Sequence, residues 1–410
     1  MEHKILKLGV FGFGVVGQGL FHVLNETHGI KAEIKKFCVK HRDKKRVLDQ
    51  SFFTYEKNDI LFDKEIDVIV ELIDDSKAAF EIVKTAVENG KHVVTANKKM
   101  IAEHLPEIYE LQQKHNRAIL YEGSVCGSIP ILRNLEEYYD NDLLRSIEGI
   151  FNGSTNYILT KVFEEKKSYA EALKGAQDLG FAEADPRLDV EGFDAKYKLT
   201  IAIAHTFGLF LNPDDIINIG IQKINGIDLK YAKENNYTIK LIARAFKQDG
   251  KLFGFVIPQY IPNTSILAAV RNENNAVLVE GAFAEKQVFI GKGAGSYPTG
   301  SAVLSDVSAL SYDYRYEYKK YTQSEEVVFT NDVIVDAIVS FPTGKEISSK
   351  DFENFKGGYQ DNANQYLSGS VKLSKLKEWS EWDDVSVILA PELNLRAIDK
   401  KELAYAISNN

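Results

Sequence analysis

From Ile5 to Tyr121, short apolar runs alternate with amphipathic stretches of helical period. Ile5–Phe11 reads as a strand, and Gly12-Phe13-Gly14-Val15-Val16-Gly17 opens a helix that carries Leu20, Val23 and Leu24. Ile34–Val39 is a second strand. Asp67–Ile73 is a further apolar run, closed by Asp74-Asp75, and Ala78–Asn89 is a helix stopped by Gly90. His92–Thr95 resumes a strand, and a polar helix over Leu105–Asn116 leads into the last one, Ile119–Tyr121. Such alternation predicts right-handed crossovers and an N-terminal, Rossmann-like, doubly wound parallel sheet of the α/β class.

Beyond Pro130 the pattern changes. Helical stretches at Tyr157–Asp178 and Val190–Phe210 precede strand-like segments at Leu252–Ile261, Ala276–Ala282 and Gln287–Ile290, a mixture that suits an α+β domain. The tail holds strand-like Val333–Ser340 and Val385–Leu389 around a middle rich in Gly, Asn and Gln. The expected organisation is a dinucleotide-binding domain over 1–130, with 300–320 packing back on it. A substrate-binding, catalytic and dimerisation domain follows over 131–299, then a small α+β C-terminal region over 321–410.

Composition narrows the class. The 410 residues are 44% hydrophobic and 27% charged, with a net charge of −9, which is globular and argues against a broad nucleic-acid footprint. Two cysteines, Cys38 and Cys126, form no disulfide framework and point to a reducing, cytoplasmic setting. Lys4 and Lys7 before Leu8–Leu24 imitate a secretory leader, but the glycines of that run make a poor apolar core, and no membrane span is expected.

Four groups of residues carry chemistry. In the glycine motif, Gly12 permits a tight turn, Gly14 admits a pyrophosphate to backbone N–H groups, and Gly17 lets the helix approach the sheet. After the second strand stand Lys40, His41 and Arg42, with no carboxylate before Asp43. Basic residues there accept the 2′-phosphate of NADP, although NAD stays possible and a solvated basic loop has the same composition. Lys98 ends Thr95-Ala96-Asn97-Lys98 at the carboxyl end of a strand, the edge that faces the ligand in open α/β sheets.

The fourth group is Gly180–Tyr197, followed by Lys198. It gathers Glu183, Asp185, Asp189, Glu191 and Asp194 near one lysine. If the chain is helical from Val190, Asp194 and Lys198 share a face. A helix-surface ion pair explains that spacing, and so does a site in which carboxylates hold a cationic substrate while a lysine protonates a developing alkoxide.

Together these blocks resemble the homoserine dehydrogenase family. The resemblance covers the glycine motif, Thr95–Lys98, Glu122-Gly123-Ser124-Val125-Cys126-Gly127-Ser128-Ile129-Pro130, Asn152–Tyr157, Gly180–Lys198 and Gly291–Asp306. It implies NAD(P)-dependent, reversible oxidation of L-homoserine to L-aspartate 4-semialdehyde, on the route to threonine and methionine. It further implies catalytic roles for Lys198, Lys98 and Asp194, and substrate contacts from Glu183, Asp189 and Asp194. Cofactor contacts follow from Gly12, Phe13, Gly14, Val15, Val16, Gly17, Lys40, Arg42, Lys98, Gly180 and Gly295. Oxygens of Glu122, Val125, Gly127 and Ile129 would hold a monovalent cation such as sodium, and the enzyme would be a homodimer.

The chain also departs from the family pattern. Asp74-Asp75 stand where Gly-Gly is common, Gly123 and Cys126 replace small residues usual in the family, and Tyr321–Asn410 lacks the opening of a regulatory ACT module, which is expected to be divergent or absent. Another oxidoreductase on this scaffold, or a catalytically silent NADP-binding regulatory protein, are the alternatives.

Overall fold

The computed structural model describes residues 5–140, 143–323, 327–392 and 396–397. The chain begins with β1 (Leu6–Phe11), α1 (Val15–Glu26), β2 (Ala32–Cys38), β3 (Phe53–Thr54), α2 (Asn58–Leu61), β4 (Val68–Glu71) and α3 (Ser76–Glu88). Then come β5 (His92–Thr95), α4 (Lys98–Glu103), α5 (Leu105–His115), β6 (Ile119–Leu120) and a short helix, α6 (Ile131–Arg133). The six strands form one parallel sheet in the order β3-β2-β1-β4-β5-β6. Its central strands are buried on both faces, so they read as unbroken apolar runs rather than alternating ones.

Asp74-Asp75 acquires a local reason here. Asp75 is the N-cap of α3, and its carboxylate accepts a hydrogen bond from the Ala78 amide at 3.0 Å. Asp75→Ala is expected to cost about 1 kcal/mol, read as a lower denaturant midpoint with an unchanged slope.

The chain continues through β7 (Leu144–Ile150), α7 (Gly153–Glu164), α8 (Tyr169–Asp178), α9 (Arg187–Val190) and α10 (Phe193–Phe207). After β8 (Ile217–Asn218) and α11 (Gly226–Glu234) come the long strands β9 (Tyr237–Gln248) and β10 (Lys251–Pro262), then β11 (Asn274–Gly281), β12 (Glu285–Lys292), α12 (Ser296–Ala309) and α13 (Lys319–Gln323). The tail supplies β13 (Val328–Phe329), β14 (Val333–Pro342), β15 (Asn354–Gln360), β16 (Asn364–Lys372), α14 (Leu373–Ser380), β17 (Ser386–Leu389) and β18 (Arg396–Ala397).

These elements form two compact units. The first comprises 1–144, 197–213 and 288–324; the second comprises 145–196, 214–287 and 325–410. A second, mixed sheet has the order β12-β11-β7-β9-β10-β17-β14-β16-β15. The tail is part of that sheet. Val335, Val339, Leu376 and Trp379 share one buried cluster with Phe253 and Phe255 of β10. The Gly, Asn and Gln-rich stretch within the tail is the antiparallel hairpin β15–β16. Among the described residues, no helix is long and apolar enough to cross a membrane.

Candidate active site

In the first unit, the turn after β1 needs its glycines. Gly12 has φ +99°, and a Cβ there would lie 2.5 Å from the Leu72 carbonyl oxygen. A Cβ on Gly17 would lie 2.6 Å from the Gly12 carbonyl oxygen, so any side chain would push α1 off the turn. Gly14, the N-cap of α1, faces open space and offers no side chain to the first-turn N–H groups. A second helix start lies beside it: Ser296, first residue of α12, donates from Oγ to the Val15 carbonyl at 2.9 Å. Gly295 caps α12 with φ +123° and likewise no side-chain bond. Two helix N-termini without side-chain caps, one behind an open glycine, fit the pyrophosphate of a dinucleotide.

The other cofactor candidates are placed as follows. Val15 and Val16 begin α1, and Val15 is 65% exposed. The Phe13 ring is buried against Phe37 and Phe53, which leaves only its backbone for a ligand. Lys40 is exposed. Arg42 stacks over Tyr55 at 4.6 Å and lies 3.5 Å from Glu56, both members of that ion pair being largely exposed. Arg46, a further member of this basic loop, donates to the carbonyls of His41 and Lys44 and so shapes it. Gly180 belongs to the second unit, where it follows α8 with φ +74°.

Lys98 is the first residue of α4, whose N-cap is Asn97. Nearby, Glu122 is buried with both carboxylate oxygens engaged by the amides of Leu132 (2.8 Å) and Arg133 (2.9 Å). Its own amide donates to Asp306, whose carboxyl is held far above the usual range by burial and by the Glu122 charge. Gly127 has φ +55° and approaches Gly293 so closely that a Cβ would lie 2.7 Å from its carbonyl. Among the described residues, the Ile129 carbonyl accepts from Ile131, whereas no donor is recorded on the carbonyls of Val125 and Gly127. Backbone carbonyls of this loop are the kind of oxygen that suits a hard cation.

In the second unit, the acidic stretch separates into surface and interior. Asp185 is exposed and forms a two-pronged ion pair with Arg187, which lowers its pKa to about 2. Glu183 is exposed, and its backbone carbonyl accepts from Gln177 at 3.0 Å. Asp189 and Asp194 are drawn together by Asn152, the first residue of the Asn152–Tyr157 block. Asn152 caps α7 through Oδ1, accepting from the Thr155 amide at 2.8 Å, and its side-chain amide donates to Asp189 Oδ1 at 2.6 Å and Asp194 Oδ2 at 2.9 Å. The bracing continues around it: the Val190 carbonyl accepts from Ile221, and the Glu191 carbonyl from Asn218. Asp194 is 5% exposed in the first turn of α10, and Lys198, one turn later on the same helix, is 6% exposed.

Two family models match: "Homoserine dehydrogenase, NAD binding domain" over residues 12–122 and "Homoserine dehydrogenase" over 130–308. The homoserine dehydrogenase of Bacillus subtilis is 39% identical over 76% of this chain and 74% of its own length. The chain belongs to the homoserine dehydrogenase family. The enzyme of Neisseria gonorrhoeae is 38% identical over 74% of this chain and 72% of its own. A homoserine dehydrogenase structure from Thiobacillus denitrificans aligns with a TM-score of 0.84 at 29% identity, covering 94% of this chain and 98% of the other. The chain is thus an oxidoreductase with a nicotinamide-cofactor domain, and it interconverts homoserine and aspartate semialdehyde.

Proposed function

We propose that Lys198 is the acid–base residue of this dehydrogenase, that Asp194, Asp189 and Glu183 hold the homoserine ammonium, and that Lys98 contacts cofactor and substrate. The observation that carries this reading is the Asn152 amide, which ties Asp189 of α9 to Asp194, the residue one helical turn before Lys198 on α10. When bound, the nicotinamide exchanges a hydride with the alcohol carbon. Lys198 takes the hydroxyl proton in the oxidising direction and returns it to the aldehyde oxygen in the reducing one. Carboxylates complement the substrate's cation, and the Asn152 amide orients one oxygen of half-buried Asp189 and one of buried Asp194.

The glycine turn, with the starts of α1 and α12, holds the pyrophosphate. Lys40 and Arg42 select NADP over NAD. The purified chain is expected to reduce NADP when homoserine is added; no turnover with NADP or NAD overturns the activity itself. Lys40→Ala and Arg42→Ala are each expected to raise KM for NADP about tenfold, with KM for NAD unchanged. An unaltered KM ratio would remove the basic loop from cofactor choice.

The proposal extends to a cytoplasmic homodimer assembled through 131–299, with 1–130 and 300–320 serving the cofactor; the tail expected as a separate region over 321–410 instead lends its described strands to the second sheet. A cation such as sodium would be held at the 122–129 loop by oxygens of Glu122, Val125, Gly127 and Ile129. Sedimentation showing a monomer at assay concentration would overturn the dimer, and equal rates in sodium and in a bulky organic cation would overturn the ion.

A further inference from the structure

Glu71, the last residue of β4, has a side chain with no solvent exposure. A carboxylate in that position is costly unless its oxygens are occupied. They are: Oε1 accepts from the Ile73 amide at 2.6 Å, and Oε2 accepts from the Thr95 hydroxyl at 2.6 Å. Glu71 and Thr95 are register partners at the carboxyl ends of the neighbouring parallel strands β4 and β5.

The bonds continue from Thr95 into the start of α4. Thr95 Oγ1 accepts from the Asn97 amide at 3.0 Å, the Asn97 side-chain amide donates to the Ile73 carbonyl at 3.0 Å, and Asn97 Oδ1 caps α4 through the Met100 amide at 3.0 Å. The result is a closed ring, Glu71–Thr95–Asn97–Ile73. It ties the tips of two strands to the cap residue immediately before Lys98.

We infer that Glu71 is a positioning residue of the dehydrogenase, which through Thr95 and Asn97 sets the helix start that presents Lys98. The inference rests on the proposed role of Lys98 at the reacting end of the site. A ring that closes on a carboxyl whose two oxygens both accept has one polarity. Both Thr95 and Ile73 donate into Glu71, so a glutamine would turn an N–H donor against one of them. Burial, helped by Asp74 on the following loop and opposed by the two donors, pushes the Glu71 carboxyl up to about 7.

The test uses the full-length enzyme and compares kcat, the KM values and the melting temperature. The variants are Glu71→Gln, Thr95→Val, Thr95→Ser, Lys98→Ala and the Glu71→Gln/Lys98→Ala double. Glu71→Gln and Thr95→Val are each expected to lower kcat about tenfold, with KM for NADP little changed. Thr95→Ser, which keeps the hydroxyl, restores the wild-type kcat. The double variant is no slower than Lys98→Ala alone, because Glu71 acts through that lysine.

If Glu71→Gln does not fold, the Thr95 pair reads the same ring. A lower melting temperature with unchanged kcat in Glu71→Gln or Thr95→Val overturns the positioning role, as does a double variant whose loss is the product of the two single losses. In either case a slow Lys98→Ala leaves the reading of Lys98 intact. A Lys98→Ala enzyme with wild-type kcat instead overturns that reading, and the inference with it.

Discussion

Lys198→Ala is expected to lower kcat for homoserine oxidation by about 10²–10⁴-fold, the usual contribution of a positioned general acid–base group. The physical reason is the alcohol proton, which must leave as the hydride leaves; without Lys198 it has only solvent to go to. Lys198→Arg separates charge from proton transfer. A guanidinium keeps the positive charge but does not give up its proton, so it is expected not to rescue oxidation. Initial rates of NADP reduction check both, with circular dichroism confirming that α10 remains folded. A Lys198→Ala enzyme at wild-type kcat would exclude the lysine, and full rescue by arginine would reduce its part to electrostatics.

Asp194→Ala is expected to lower kcat/KM for homoserine by about 10²–10³-fold, the order measured when one partner of a buried, hydrogen-bonded charge pair is truncated. The substitution removes the carboxylate nearest Lys198 along α10 and leaves one Asn152 hydrogen unpartnered in a buried place. Asp185→Ala is the control: its carboxylate is turned to Arg187 at the surface, so kinetics within about twofold of wild type are expected, as for surface substitutions generally. If the two variants behave alike, the distinction between the interior and exposed acids is wrong. Asn152→Ala is expected to fall between them, since it loosens both carboxylates and removes the α7 cap, with about 1 kcal/mol of stability.

The elements easiest to read in advance were those whose signals are local. β5 was expected at His92–Thr95 and occupies those residues, and the strand–glycine turn–helix at the start follows the chain order that the motif requires. β9 went unread. Its residues from Ile239 to Ala243 are buried whether they point up or down, so the alternation that marks a half-exposed strand is missing. Part of that burial is a lysine: Lys240 donates to Asn156 Oδ1 and the Val270 carbonyl, and desolvation lowers its pKa to about 8. The hairpin β15–β16 was hidden by a composition that suggests loop.

The candidate site divides along the same line. Sequence alone determined the glycine turn, the placement of Lys98 after a strand and the one-turn spacing of Asp194 and Lys198, because each depends on neighbours in the chain. Tertiary structure decided which acids are interior. Asn152 lies 37 residues from Asp189 and 42 from Asp194, so no local pattern announces that one amide holds both carboxylates. It also decided that Asp75 caps a helix, and that Glu71 lies in a ring closed across 24 residues to Thr95. Hydrogen-bond partners of buried polar groups are chosen by proximity in the folded chain, and the cost of leaving such groups unpaired makes those distant choices binding.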